Sequence, residues 1–129
     1  MLDDYLFFVS TSDLAKRWKV DRKTARAILK CYDIHPFILH AAQRFLWTEV
    51  AQVVERLTID EARQVSFETP LLTYSEVADV LCVSSQSVRN YCRTGRINCV
   101  KMSSHVHRFH KHRLFEWESD HKNGAFAKM

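Results

Sequence analysis

Glycine is nearly missing from this chain: its 129 residues contain two, Gly95 and Gly124. Phosphate-binding loops need clustered glycines so that backbone amides can approach an anion, and that nucleotide chemistry is therefore excluded. The four cysteines, Cys31, Cys82, Cys92 and Cys99, never form a C-x-x-C pair, which leaves no signal for a zinc knuckle or a thioredoxin-type redox site. They sit inside apolar patterns and are expected to be reduced and mostly buried. Long apolar runs are missing too, the segment from Tyr5 to Val9 falling far short of the roughly 20 residues of a membrane span. No basic, apolar, small-residue signal opens the sequence, so a soluble, cytoplasmic protein without a membrane partner is expected. A Ser-His-acid arrangement with supporting context is lacking, and Asp3-Asp4 and Glu116-x-Glu118 lie too near the ends to act as paired catalytic carboxylates. We expect no enzyme, no catalytic residue and no cofactor.

What is present is charge in particular places. The formal net charge is only +4, but basic residues gather twice. Lys16, Arg17, Lys19, Arg22, Lys23, Arg26 and Lys30 share their stretch with the single acid Asp21. Arg89, Arg93, Arg96, Lys101, Arg108, Lys111 and Arg113 enclose no acid at all. Acids collect elsewhere, at Asp3-Asp4, from Glu55 to Glu68 and from Glu116 to Asp120. Two cationic faces, rather than a uniformly basic coat, follow from this spacing.

The two clusters fall in two similar halves. Leu14-Ala15 aligns with Val77-Ala78, Val20 with Val83, Thr24 with Ser87, Arg26 with Arg89 and Ile34 with Ile97; after a slip of one residue, Arg44-Phe45 aligns with Arg108-Phe109. An internal duplication is inferred. In the second copy Thr73, followed three positions later by Glu76, forms a capping box that starts a helix from Tyr74 to about Leu81. Cys82 and Val83 make the turn, and Ser84 caps a second helix to about Arg93. Its inner face is Val88, Tyr91 and Cys92; Ser85, Gln86, Arg89, Asn90 and Arg93 point outward. Gly95 supplies the left-handed residue at its end. Residues 98–102 and 106–109 form a hairpin, and a closing helix over 112–119 is anchored by Leu114, Phe115 and Trp117.

The first copy repeats that order. Thr11 or Ser12 caps a helix through Trp18, Lys19-Val20 turn, and Asp21 caps a second helix with Arg22, Lys23, Arg26 and Lys30 outward and Ala25, Ile28 and Leu29 inward. His35-Pro36 stops the chain from continuing as helix. Phe37 to Leu39 and Arg44 to Trp47 form a hairpin whose tip has no glycine, and Val50, Val53, Val54 and Leu57 face inward from a last helix. The fold class is mainly α with small β-hairpin wings, in two tandem winged helix-turn-helix modules. Their bounds are 1–57 and 71–119, with a partly ordered linker at 58–70, in which 60–63 prolong a helix or start one, and a flexible tail at 120–129.

The stretch LLTYSEVADVLCVSSQSVRNYCRTGRINCVKMSSHVHRFHKHRLFEWE, residues 71–118, resembles the excisionase-type group of the MerR-like winged helix-turn-helix superfamily. The resemblance is carried by Leu72-Thr73, Glu76, Ala78, Val83-Ser84, Val88, the run from Thr94 to Ile97, Arg108-Phe109, Leu114 and Trp117. TSDLAKRWKVDRKTARAILKCYDIHP, residues 11–36, resembles it more loosely and lacks the group's glycine after the second helix. The resemblance implies a sequence-specific protein of double-stranded DNA, an excisionase-like recombination directionality factor or a related mobile-element accessory factor. The same group contains transcriptional repressors and activators, phage packaging subunits and plasmid factors, so these roles, a recombinase or integrase partner and self-association stay open.

In a helix-turn-helix the second helix enters the major groove. Gln86 is placed to pair with adenine and Arg89 with guanine, while Ser84, Ser85, Asn90 and Arg93 contact phosphate or take mixed contacts. Arg22, Lys23, Thr24, Arg26 and Lys30 take the corresponding places in the first copy. Arg44, Lys101, His105, His107 and Arg108 belong to the wings. His105 and His107 alternate on a strand as two metal ligands would, but only Cys99 and distant acids stand near them, and no metal is expected. On phosphate, such histidines raise affinity as pH falls through roughly 6.5. Two modules in one chain are expected to read adjacent DNA segments about one helical turn apart, without palindromic symmetry. The rival outside DNA binding is an adaptor whose first module has turned to a protein partner.

Overall fold

The computed structural model describes residues 7–114, which divide into two units between Pro70 and Leu71. Helices and small antiparallel sheets build both. The sequence expectations for 115–119, with Phe115 and Trp117, and for the tail fall outside the described residues.

The first unit opens with strand β1 (Phe8–Val9) and helix α1 (Thr11–Trp18). The cap of α1 is Ser10, not Thr11 or Ser12: Ser10 Oγ accepts the Asp13 amide at 3.1 Å and Asp13 Oδ2 accepts the Ser10 amide at 3.0 Å. Only this register offers an acid three positions on, so both orphan amides are satisfied together. Lys19 then turns left-handed at φ 56°, the Val20 amide returns to the Ala15 carbonyl at 3.0 Å, and Asp21 caps α2 (Arg22–Cys31). Where the second unit has Gly95, the end of α2 uses Asp33 at φ 59°, with the Ile34 amide reaching back to the Leu29 carbonyl. Aspartate tolerates this region better than most residues, which is why the helix stops sharply without glycine.

Strands β2 (Phe37–Leu39) and β3 (Ala42–Leu46) pair with Leu39 opposite Ala42, leaving His40 and Ala41 as a two-residue turn. Both central residues have positive φ, 53° and 64°, the type I′ geometry that suits the twist of paired strands and usually selects Asn-Gly. An alanine held there costs about 1 kcal/mol, and glycine relieves it while adding freedom to the unfolded chain. Ala41→Gly is therefore expected to stabilise the unit by ~0.5 kcal/mol, read as a higher urea midpoint; a lower one overturns the assignment of strain to this turn. β1 adds to the other side of β3, with Val9 opposite Phe45, making a three-stranded sheet in the order β1-β3-β2. This strand was not expected.

Helix α3 (Trp47–Val53) ends before the expected Leu57, because Arg56 turns left-handed at φ 59° and the Leu57 amide returns to the Ala51 carbonyl. Val53, still within the helix, falls on its outer face at 40% exposure, contrary to expectation, and beyond the helix end the chain carries Glu55 inside to 0%. Val50, Val54 and Leu57 are buried as expected. Residues 58–70, expected to connect two modules as a partly ordered linker, hold α4 (Ile59–Gln64) behind a Thr58–Glu61 capping box, and they belong to the first unit.

The segment 66–69 is fastened by Arg17. Its Nη1 donates to the carbonyls of Ser66, Phe67 and Thr69 at 3.2, 3.1 and 2.8 Å. Nε and Nη2 donate to Glu55 Oε2 and Oε1, each at 2.8 Å, and Trp18 Nε1 adds a bond to Oε2 at 2.7 Å. The guanidinium lies 4.9 Å from the Trp47 ring centroid and 5.5 Å from that of Phe67. Arg17, expected on a cationic face, and Glu55, expected in an acid cluster, are thus a buried pair in which all three guanidinium nitrogens and both carboxylate oxygens are hydrogen-bonded.

In the second unit α5 (Tyr74–Leu81) begins at Thr73, whose amide donates to Glu76 Oε1 at 2.9 Å while the Glu76 amide donates to Thr73 Oγ1 at 3.3 Å. Cys82 is left-handed at φ 57°, the Val83 amide returns to the Ala78 carbonyl at 3.0 Å, and Ser84 caps α6 (Ser85–Arg93). Gly95, at φ 79°, ends that helix. Strands β4 (Val100–Lys101) and β5 (His107–Arg108) pair, shorter than expected, and Phe109 bridges back to Leu72. Val77, Ala78, Val88, Ile97, Phe109 and Leu114 form the core. Residues 111–114 are helical, the described part of the expected closing helix.

Candidate nucleic-acid interface

Burial of Ala25, Ile28 and Leu29 fixes the rotation of α2, so the opposite face must be the one carrying Arg22, Lys23, Arg26 and Lys30, and all four are exposed. None of them forms a salt bridge among the described residues. Thr24 is half-buried, its amide held at 2.7 Å by Asp21 Oδ1; hydrogen bonding by the Thr24 side chain, then by this amide, keeps the Asp21 carboxyl below its ordinary pKa. That acid is committed to the helix start rather than to neutralising the cations. The whole of α2 contains no other acid.

Helix α6 shows the same division. Val88 is buried, while Gln86, Arg89, Asn90 and Arg93 are exposed and Ser85 is half-buried. Ser84 Oγ accepts the Ser87 amide at 3.1 Å and hydrogen-bonds the Ser87 hydroxyl at 3.0 Å, so its side chain is committed to capping the helix. Asn90 Oδ1 accepts from Gln86 Nε2 and Arg93 Nη2, both at 3.3 Å. These bonds tie three outward side chains into one row and lower the entropy cost of presenting them. Arg89 is positioned differently, with its guanidinium 5.0 Å from the Tyr74 ring centroid. A cation lying on an aromatic ring keeps its charge while its direction is restricted.

The two hairpins differ. Lys101 and His105 are exposed on the second, and His107 and Arg108 are half-buried there, Arg108 Nη1 donating to the His107 carbonyl at 2.8 Å. His107 Nδ1 hydrogen-bonds to the Tyr74 hydroxyl, and its Nε2 is buried without a partner among the described residues. Burial, then the neighbouring Lys101 and Arg108, push the His107 pKa below the ordinary 6.5. The fold therefore favours the neutral ring. Its contribution to stability is full above pH 6.5 and is lost as pH falls through the lowered value, and any charge gain on this hairpin from His107 comes at lower pH than an unperturbed histidine would give.

On the first hairpin Arg44 is half-buried and its Nη1 donates to the Gln43 carbonyl at 2.8 Å. Alternation along β3 puts Phe45 toward the core, as Val9 is on β1, so Phe8, Phe37, Leu39, Arg44 and Leu46 share the opposite face of the sheet. Phe8, Phe37 and Leu39 are exposed there, and Phe8 meets Phe37 edge-on at 5.6 Å. Ile38, at the sheet edge, is 64% exposed. This hairpin is apolar where the other is cationic, a difference the aligned sequences did not announce.

Tyr74 is the residue that sequence reasoning missed. It follows a cap and interrupts no pattern, yet it supports Arg89, bonds His107 and packs on Phe109 at 5.6 Å. Burial, then the neighbouring Cys99 and Cys92, raise its pKa to about 12, so the phenol stays neutral. The cysteines also depart from expectation: Cys31 and Cys82 are exposed, and only Cys92 and Cys99 are half-buried. Among the described residues no helix is long and apolar enough to cross a membrane, and no group of three or more metal-ligating side chains is present. No protein-family model, no curated protein and no solved structure matches the chain.

Proposed function

We propose that this chain binds double-stranded DNA through two winged helix-turn-helix units, with α2 and α6 as the helices that enter the major groove. The carrying observation is that each unit pairs the same tight two-helix corner, with a left-handed Lys19 or Cys82 and an amide returned to Ala15 or Ala78, with an acid-free cationic helix face. Arg22, Lys23, Arg26, Lys30, Arg93 and Lys101 hold phosphates, which position the protein. Gln86 and Arg89 read base edges, and the ring of Tyr74 beneath Arg89 supplies the preorganisation that base reading needs. Once one unit is bound, the second acts at high local concentration. An accessory role in recombination is the first reading of what that binding serves, and transcription control is the alternative.

A titration of the full chain against a mixed-sequence duplex tests this. Roughly six phosphate contacts at about 0.9 each give log K against log salt a slope of about −5. Binding that is absent at low salt, or insensitive to salt, overturns the proposal. Sequencing of the genomic fragments that the protein retains then separates a recombination site from promoters. The adaptor reading is favoured by one observation, the exposed Phe8, Phe37 and Leu39 on the first sheet, which would serve a protein partner better than a phosphate backbone.

A further inference from the structure

One tyrosine joins the second hairpin to an outward arginine of α6. Tyr74, at the start of α5, has the Arg89 guanidinium 5.0 Å from its ring centroid, and its hydroxyl hydrogen-bonds Nδ1 of His107 on β5. The tyrosine and histidine rings also meet edge-on, their centroids 5.6 Å apart and their planes at 68°, and the Phe109 ring meets Tyr74 edge-on at 5.6 Å. A phenol held by two rings and by its hydroxyl has little freedom to turn, and the cation lying on it shares that restriction. We propose, on the reading of α6 as a base-contacting helix, that Tyr74 and His107 are positioning residues for Arg89, and that the neutral His107 ring is the state in which Arg89 is held for base reading.

Hydrogen bonding makes the charged ring a poor fit here. A neutral imidazole has one donor and one acceptor, whereas an imidazolium donates from both nitrogens. A proton added at Nδ1 displaces the Tyr74 hydroxyl proton, and one added at Nε2 is buried without an acceptor among the described residues. Either way the cation is better served in water than against Tyr74. The groups around it act in the same direction: Lys101 on β4, Arg108 beside it, Arg89 on α6 and His105 in the hairpin turn each oppose a positive charge on His107, while Glu76 on α5 acts on Arg108. Burial first, then these neighbours, hold the His107 pKa below 6.5, so the neutral ring is fully kept above that pH and lost as pH falls through the lowered value. The hydroxyl is then released and Tyr74 can turn from beneath Arg89. Discrimination at the base pair that Arg89 reads falls, whereas attraction to phosphate, which gains a charge, does not.

Full-length protein and duplexes changed at single base pairs test this. The affinity ratio at the pair that Arg89→Ala relaxes is followed from about pH 7.5 to about pH 5, across the histidine range. In the parent it is expected to fall roughly 2- to 10-fold, the cost of ordering one long side chain. His107→Asn sets an amide where Nδ1 stands, bonds the Tyr74 hydroxyl without titrating and is expected to make the ratio independent of pH. Tyr74→Phe keeps the ring but not the bond and is expected to show the low ratio at every pH. A parent ratio that stays level while the duplex remains bound, or one that falls equally in His107→Asn, overturns the proposal. Absence of duplex binding, or of any base pair relaxed by Arg89→Ala, is instead the failure of the DNA reading. The coupling is then judged without DNA from the Arg89 Nε–H resonance, which the Tyr74 ring shifts upfield: it is expected to move as His107 titrates, and a fixed resonance overturns the coupling.

Discussion

Glu55→Ala is expected to destabilise the first unit by about 3–5 kcal/mol, which is the range for removing one partner of a buried ion pair. The remaining Arg17 guanidinium keeps three carbonyls but loses both carboxylate oxygens, and Trp18 Nε1 loses its acceptor in the same step. A small domain has a total stability of only about 5–15 kcal/mol, so a loss of this size removes a large share of what holds the unit folded. Trp18 and Trp47 lie in this unit and report its unfolding by fluorescence in urea. The double replacement Arg17→Met with Glu55→Leu is expected to recover part of the loss, because an apolar pair removes the isolated charge, though not the fastening of 66–69. An unchanged midpoint for Glu55→Ala overturns the assignment of this pair as the fixed point of the unit.

The second large effect concerns DNA. Replacing Arg22, Lys23 and Arg26 together with alanine is expected to flatten the salt dependence of duplex binding by roughly 3 units of slope and to weaken it on the order of 100-fold. These side chains are exposed and unbridged, so the urea midpoint is expected to stay within about 0.5 kcal/mol of the parent, separating lost contacts from lost fold. Arg89→Ala acts on another quantity: it removes about one unit of slope but relaxes discrimination by ~1–3 kcal/mol at one base pair. If the triple replacement leaves affinity and slope untouched while Arg89→Ala weakens binding, the first unit does not hold DNA, and the apolar face of its sheet becomes the reason for its presence.

Local chemistry made the second unit legible. Thr73 with Glu76, Ser84 and Gly95 each satisfy or end a helix within three or four residues of themselves, and the expected α5 and α6 coincide with those observed. The outward rows of α2 and α6 were equally readable, since helix period alone separates them from Ala25, Ile28 and Val88. Cap choice failed only where two hydroxyls competed with a better-placed third, Ser10.

What sequence could not supply was any consequence of contacts made far along the chain. β1 is a two-residue strand that exists because β3 lies beside it, and nothing within Phe8–Val9 announces that partner. Arg17 and Glu55 looked like surface charges because burial of a charge depends on its partner, here 38 residues away. The stop of α3 at Val53, followed by a left-handed Arg56, put Glu55 inside for the same reason. Tyr74 and His107, 33 residues apart, likewise met only when the chain turned back after Gly95. Helix starts, ends and faces were thus set by neighbours in sequence, whose geometry is fixed by a few dihedral angles. Which charges are buried, which strand is added and which ring supports Arg89 were decided by tertiary packing, because free energies of desolvation and pairing depend on what arrives from elsewhere.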